Sequence, residues 1–373
     1  MESSLAYQFS RNLRDVYKIR MNSLGEDSAY SQYLNIFRAF VTPIIFITGF
    51  IGNVFVIIIF SRLRFNTRFG VYAISLAVAQ LICLVLNALL DDFLGRGVDY
   101  LTGQSNNLKL DITSDGMCKF VEVTQNSMYT TSSYVLVAFS LDRLITIMFP
   151  IRLNSIFHKR FAVGLCSFIY LISFVLNFPL IFITKIDNNR CIAFENDMDT
   201  YNYMFFFKGI GTFILPVILV IITNMAIIFQ MCKVEKTRRE YFKKDSNLTG
   251  PDTELSRIIG HLALSTVFIL LYIPLVYSLF LRIYAHWKKI PATDAWHRDI
   301  TDLSRLFSSL KDMTYSVSFF LYLIFLKKFR LCFISRFCVI CKRDWNVSNL
   351  ESLDDGHDER EYISPKSEDV TSS

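Results

Sequence analysis

Seven long apolar runs set the frame for this chain. They lie at roughly residues 37–61, 69–93, 118–149, 161–184, 203–232, 257–284 and 300–326, the last interrupted by polar residues. A helix rises about 1.5 Å per residue, so each run can cross the roughly 30 Å hydrocarbon core of a bilayer. Inside that core a backbone must satisfy its own hydrogen bonds, and runs of this length do so as helices. With 52% hydrophobic and 19% charged residues, the 373-residue chain is too apolar for a soluble domain of its size. The expected fold is an all-α membrane protein, a seven-transmembrane helix bundle with a short amphipathic eighth helix.

The segments around the bundle read differently. Residues 1–36 are polar and mixed in charge, with no apolar core of the kind a signal peptide needs, so the first span is expected to target the chain. Residues 37–326 form the bundle. Over 327–343, apolar and basic residues alternate at near-helical spacing, as in a helix lying along the inner membrane surface. Residues 344–373 are rich in Ser, Asp and Glu and are expected to be a disordered cytoplasmic tail. A long extracellular loop is expected over 94–117.

Basic residues set the orientation. Arg62, Arg64 and Arg68 follow the first span, and Arg152, Lys159 and Arg160 follow the third. Lys233, Lys236, Arg238, Arg239, Lys243, Lys244 and Arg257 follow the fifth. Glu195, Asp197 and Asp199 lie on the other side. The N-terminus is therefore expected outside and the tail inside, at the plasma membrane, with Arg11, Arg14, Lys18 and Arg20 running mildly against the rule. These loops account for the net charge of +6 without any nucleic acid.

Cysteines sort by side. On this topology Cys118 and Cys191 are the two extracellular ones, and an exposed thiol pair there would tend to oxidise. A bridge would pin the loop after the fourth span over the bundle and contribute about 2–4 kcal/mol. Cys83, Cys166 and Cys232 read as small apolar packing residues. Cys332, Cys338 and Cys341 follow the last span and read as palmitoylation sites, with zinc binding by the CVIC pair as the alternative. The five histidines are scattered and make no metal site.

Asp142 and Arg143 stand 24 and 25 residues after Cys118. One helix would thus carry a cysteine at one membrane face and an acid–base pair at the other, roughly 37 Å away. A buried Arg partnered by Asp suits a switch at the inner face. Glu254 lies 20 residues before Pro274, at the inner end of the sixth span. Paired with Arg143 it would latch the third and sixth helices, and a solvated acid at a helix start is the competing reading. Pro216 and Pro274 each remove an intrahelical hydrogen bond and bend their spans. Phe268 and Tyr272 share one face of the sixth span and either transmit a ligand contact to that bend or simply fill the core.

Taken in order, the motifs resemble the rhodopsin-like (class A) G-protein-coupled receptors over roughly residues 37–341. Gly52-Asn53 with Val54 and Val56 is similar to GNxxV, and Leu76–Gln80 to LAxxD. Asp142-Arg143-Leu144 is similar to DRY, and Phe268, Tyr272 and Pro274 to FxxxWxP. Ser318–Tyr322 is similar to NPxxY and is followed by the KKFR of an eighth helix. The resemblance implies a receptor rather than an enzyme, with no cofactor, that binds an extracellular ligand and activates a heterotrimeric G protein. Arg143, Asp142, Glu254, Tyr322, Phe268, Tyr272 and Pro274 would be its coupling and switch residues. Arrestin and a receptor kinase are further partners if Ser348, Ser352, Ser364, Ser367 and Thr371–Ser373 are phosphorylated.

The departures are informative. Gln80 stands where the family has an intramembrane Asp, and Thr314 and Ser318 replace its usual Asn residues, so little sodium sensitivity is expected although Ser132 is retained. The usual Trp of the fourth span is missing. Phe319 replaces the Pro of the seventh, so that helix need not kink there.

For the ligand, Gln125 occupies the position where amine receptors place an Asp, which argues against an amine. Lys311 stands seven residues before Ser318 instead of six, with Asp312 in the Schiff-base position, which argues against retinal. The expected pocket is Glu122, Gln125, Lys208, Tyr272, Arg305, Lys311 and Asp312, although Lys208 or Lys311 paired with a neighbouring acid would be a structural pair. Asp91-Asp92 and the Glu195–Asp199 cluster would make the entrance acidic and suit a cationic ligand. The SFFLY run resembles variants in invertebrate neuropeptide receptors, including the FMRFamide-like group, which implies an Arg-containing, amidated peptide. A chemosensory receptor for a small molecule is the alternative. A transporter or intramembrane enzyme would call for repeated halves or metal-ligand spacing, and neither is present in the sequence.

Overall fold

A computed structural model of the chain describes residues 29–61, 67–103, 109–149, 159–187, 190–193, 209–241, 252–290 and 294–337. Helix α1 runs through Ala29–Ile36, a wide π turn at Phe37–Val41 and Thr42–Phe60. Helix α2 joins Arg68–Cys83, a long π-helical stretch Leu84–Gly97 and Val98–Thr102. Helices α3 (Asp115–Met148) and α4 (Lys159–Asn177) follow. Helix α5 comprises the π turn Gly209–Ile214 and Leu215–Tyr241, and α6 spans Asp252–Trp287. Helix α7 comprises Ala295–Lys311 and Met313–Phe325.

Local chemistry fixes several starts. Thr67 caps α2 by accepting from the Gly70 N–H, and Ser114 caps α3 by accepting from the Met117 N–H. Asp294 does the same for α7 through the Trp296 N–H. Six described helices are long and apolar enough to cross a membrane. The polar face of Ala295–Lys311 keeps α7 out of that set, as the interruption in the last apolar run foreshadowed.

α1 packs on α2 and α7, α2 on α3, and α3 on α4 and α5, while α6 bridges α5 and α7. Polar ties reinforce this order. Tyr170 donates from α4 to the Ser75 carbonyl of α2 (2.8 Å), a link in a span that lacks the family's Trp. The Thr130 and Thr212 hydroxyls join α3 to α5 at 3.0 Å.

Two expectations need correction. Helix α1 starts before residue 37, inside the segment assigned to the N-terminal region. Helix α2 continues to Thr102, so the long loop expected over 94–117 begins as helix and also holds a 3₁₀ turn at Leu110–Ile112. Its charges at Asp91, Asp92 and Arg96 end the apolar run, yet the fold neutralises them by pairing. After α4, a short helix at Leu180–Ile183 leads into an antiparallel hairpin, β1 (Thr184–Asp187) and β2 (Arg190–Ala193), with Ile186 opposite Cys191.

Helix α7 passes unbroken through Phe319 but is interrupted at Asp312. There the Asp312 N–H reaches the Ser309 carbonyl at 3.3 Å, a tighter turn than the α-helical one. The second compact unit begins at Lys327, and its helix α8 spans Lys327–Phe337. Of the segment assigned to that helix, residues 338–343 lie outside the described residues, as does the tail 344–373.

Glycines bring α1 onto α7. A Cβ at Gly52 would lie 2.8 Å from the Phe319 Cβ, and one at Gly49 would lie 3.2 Å from the Ser316 Cα. Gly52→Ala is therefore expected to destabilise the bundle by about 1–3 kcal/mol through overpacking. Gly164→Ala, with nothing within 4 Å of the new carbon, should be close to neutral. Thermal unfolding of the two purified variants checks this, and equal midpoints would contradict it.

Candidate functional site

Cys118 and Cys191 form a disulfide, with their Cα atoms 5.6 Å apart. It joins the start of α3 to strand β2. The Ile186 N–H donates to Asp115 Oδ1 (3.0 Å), a second tie between the hairpin and α3.

At the opposite end of α3, Arg143 and Asp142 are both buried, and Arg143 Nη2 donates to Asp142 Oδ2 at 2.6 Å. Asp142 is shared, because Arg68 of α2 approaches its other oxygen at 3.4 Å. The Arg143 guanidinium also faces the rings of Phe69 and Phe139, 5.5 and 5.9 Å from their centroids. Tyr322 packs edge-on to Phe60 and Phe69, which brings the end of α7 to the same aromatic group. Glu254 belongs to α6, but its side chain lies outside the described residues.

One contact here escaped sequence reasoning. His261 of α6 is fully buried, its Nε2 lies 2.9 Å from Ser140 Oγ, and its ring is 4.5 Å from that of Phe139. The signal was available, since a histidine inside an apolar span is a functional candidate by default.

Midway along the bundle lies a charge cluster. Lys311 is 0% and Asp312 1% exposed, and their side chains pair at 2.7 Å. Asn87 of α2 donates to the second Asp312 oxygen, and Gln125 of α3 donates to Asn87 Oδ1 at 2.7 Å. The Lys311 ammonium sits 3.8 Å from the centroid of the Tyr129 ring. Tyr315 and Tyr272 share a hydroxyl contact of 3.1 Å, and Tyr272 stacks on Phe268 with centroids 4.0 Å apart, two residues before Pro274. Lys311, Asp312 and Tyr272, expected in the ligand pocket, thus sit in a buried network that ties α2, α3, α6 and α7 together. Ser318 donates to Gln80 Oε1 (3.1 Å), so the residue replacing the family's Asp is bonded within the bundle.

Nearer the disulfide, Asp92 forms a second hub. Arg38 Nε lies 2.8 Å from Asp92 Oδ1, a charge contact more than an aligned hydrogen bond. Ser309 donates to Asp92 Oδ2 at 2.6 Å. Arg96 and Lys109 lie 3.0 and 3.8 Å from Asp91. Burial lifts the Asp111 carboxyl above its usual range and lowers the Lys109 ammonium, the latter helped by Arg96. Asp91 and Asp92 therefore do not supply an acidic entrance, because internal cations already neutralise them. Arg38, inside the first apolar run, was the missed cue.

Two cavities open at this end. A cavity of about 160 Å³ under the disulfide is bordered by Glu122, Gln125, Asp91, Arg96 and Asp111. A larger one of about 320 Å³, between α3, α5, α6 and α7, is bordered by Asn126, Tyr129, Phe213, Arg282, Ser304 and Arg305. The expected pocket residues are thus divided. Glu122 and Gln125 line the first cavity, Arg305 lines the second, and Lys208 lies outside the described residues. Of the expected lipidation sites, Cys332 is half-buried on α8, while Cys338 and Cys341 lie outside the described residues.

A seven-helix arrangement with a disulfide at one end of α3 and a paired Asp-Arg at the other defines a class, and comparison with known families agrees. Residues 52–314 match the family model of the 7 transmembrane receptor (rhodopsin family), and the chain belongs to that family of multi-pass membrane receptors, which are not enzymes. It is 27% identical over 225 residues to the mouse 2-oxoglutarate receptor 1, covering 58% of this chain and 62% of that one. It is 24% identical to human G-protein coupled receptor 183 over 62% of this chain and 59% of the relative. Identity to human cysteinyl leukotriene receptor 1 is 24%, over 50% and 55% respectively. The chain spans less than two thirds of the length of each of these relatives.

Proposed function

We propose that this chain is a plasma-membrane receptor, N-terminus outside, that binds an extracellular peptide and activates a heterotrimeric G protein. The observation that carries the coupling half is Arg143, buried at the end of α3 and held by the adjacent Asp142 at 2.6 Å. Release of that pair, with movement of α6, would open the face a G protein engages. The peptide half rests on the hairpin pinned by Cys118–Cys191 beside the cavities. A cavity of about 320 Å³ takes the end of a peptide, not its whole length.

The ligand's charge is revised from the sequence expectation. With Asp91 and Asp92 already paired, the argument for an Arg-containing peptide loses much of its support. Arg282 and Arg305 border the larger cavity, and although Arg305 pairs with Asp302 at 3.2 Å, its exposed guanidinium keeps donors that favour an anionic group on the inserted end. The same arginines favour a second reading, a small organic acid, and the relatives' names, 2-oxoglutarate and cysteinyl leukotriene receptors, point the same way. Arrestin and a receptor kinase remain proposed partners through the tail.

The test is a second-messenger assay in cells expressing the full chain, challenged with amidated and free-acid peptides and with small carboxylic acids. Arg143→Ala should remove at least about 90% of the response, one order of magnitude in coupling, with surface expression and ligand binding retained. A response unchanged in Arg143→Ala would overturn the coupling role. Activation by free acids alone would select the second reading.

A further inference from the structure

Asp142 is held by two cations, and it holds them unequally. Arg143 Nη2 donates to Oδ2 at 2.6 Å, whereas Arg68 Nη1 stands 3.4 Å from Oδ1, in charge contact but short of an aligned hydrogen bond. Among the described residues these are the two cations paired with it. Tyr72 of α2 and Cys166 of α4 also feel its charge, but a phenol and a thiol cannot carry a positive one. Arg68 is fixed in place. It opens α2 directly after the Thr67 cap, is 15% exposed, and donates through Nη2 to Thr146 Oγ1 at 3.5 Å, one turn beyond Asp142. Its neighbour Phe69 meets the Arg143 guanidinium with its ring, so the first turn of α2 touches both members of the coupling pair.

We infer that Arg68 is a positioning residue that takes over Asp142 when Arg143 lets go, so that the coupling arginine is released by an exchange of partners. The inference rests on the reading of Arg143 as the coupling residue. The Asp142 side chain is 7% exposed, and losing a sole counter-ion there would strand a buried charge, the unfavourable way to break a buried pair. A second guanidinium at 3.4 Å removes that obstacle. Closing to the roughly 2.8 Å of a charge-assisted hydrogen bond needs only a small side-chain adjustment. The carboxylate then keeps a cation throughout, and no proton has to be taken up. In the resting state Arg68 also draws on the charge that holds Arg143, so both effects of Arg68 favour release.

The experiment has two arms, both on the full-length receptor in lipid nanodiscs. The first is thermal unfolding and needs neither ligand nor G protein. Arg68→Met and Arg143→Met each leave Asp142 one cation and should lower the midpoint by no more than about 3 °C. The double variant strands Asp142 and should lower it by about 8 °C or more, most of which Asp142→Asn should restore. Losses that simply add would overturn the inference. The second arm measures nucleotide exchange on purified heterotrimeric G proteins of each class without added ligand, with Arg143→Ala as the blank. Arg68→Met should slow exchange about tenfold, the effect of one charged hydrogen bond. In an Asp142→Asn background, where no carboxylate needs a partner, the same substitution should change the rate less than about twofold. An equal fall in both backgrounds would make Arg68 a G-protein contact, and a rise in Arg68→Met would make it a restraint; either would overturn the inference. Exchange by none of the receptors, Asp142→Asn included, would count against the coupling reading, and the first arm would still decide whether Arg68 can replace Arg143 at Asp142.

Discussion

Lys311→Met is expected to destabilise the receptor by about 3–5 kcal/mol, because it strands Asp312 as a buried charge without a counter-ion. The two side chains are 0% and 1% exposed and pair at 2.7 Å, and the ammonium also rests on the Tyr129 ring. The double variant Lys311→Met/Asp312→Asn should recover most of that loss. Its side-chain amide is neutral and can still meet Asn87. A double-mutant cycle on the thermal stability of purified protein should give a coupling at least as large as the loss that the double variant recovers, about 2 kcal/mol or more. Additive losses would show that the pair contributes nothing as a pair. Ligand binding should fall with folding in the single variant and return in the double, since neither residue borders the two outer cavities.

Asp92 and Asp91 are neighbours in sequence and should behave very differently. Asp92→Ala leaves Arg38, 5% exposed, without its counter-charge and removes the acceptor of the Ser309 hydroxyl, for an expected cost of about 3–5 kcal/mol. Asp91 has a side chain that is 22% exposed and pairs at 3.0 Å with an Arg96 that is itself one-third exposed. Asp91→Ala should therefore cost no more than about 1 kcal/mol. Surface expression and unfolding midpoints of the two variants provide the comparison. Similar losses, or the reverse order, would mean that Arg38 is solvated in the membrane-embedded receptor.

Much of the frame was legible in the chain itself. Apolar run length marked the spans, because crossing hydrocarbon demands it locally, residue by residue. Cys118 and Cys191 could be paired because topology left those two cysteines on one side. Asp142 was legible as a partner of Arg143 because adjacency suffices for the contact. Helix ends were less legible. The run in α2 stops at its charges, yet the helix continues to Thr102 because those charges are neutralised by Arg38, far away in sequence, and by Lys109 just beyond the helix end.

What only the tertiary structure decided was which polar side chain meets which. Asn87 and Asp312, 225 residues apart, and Asp92 and Ser309, 217 apart, are brought together by the π-helical turn of α2 and the break in α7. A π turn rotates every residue beyond it about the helix axis, so composition and spacing give no hint of the facing partner. For the same reason the sequence marked Lys311, Asp312 and Asp92 as candidates for a ligand, and the packed bundle spends all three on one another and on neighbouring helices. Hydrophobic burial is a property of each segment and can be read along the chain. Pairing of buried charges depends on helix rotation to within a fraction of a turn, which only the assembled bundle fixes.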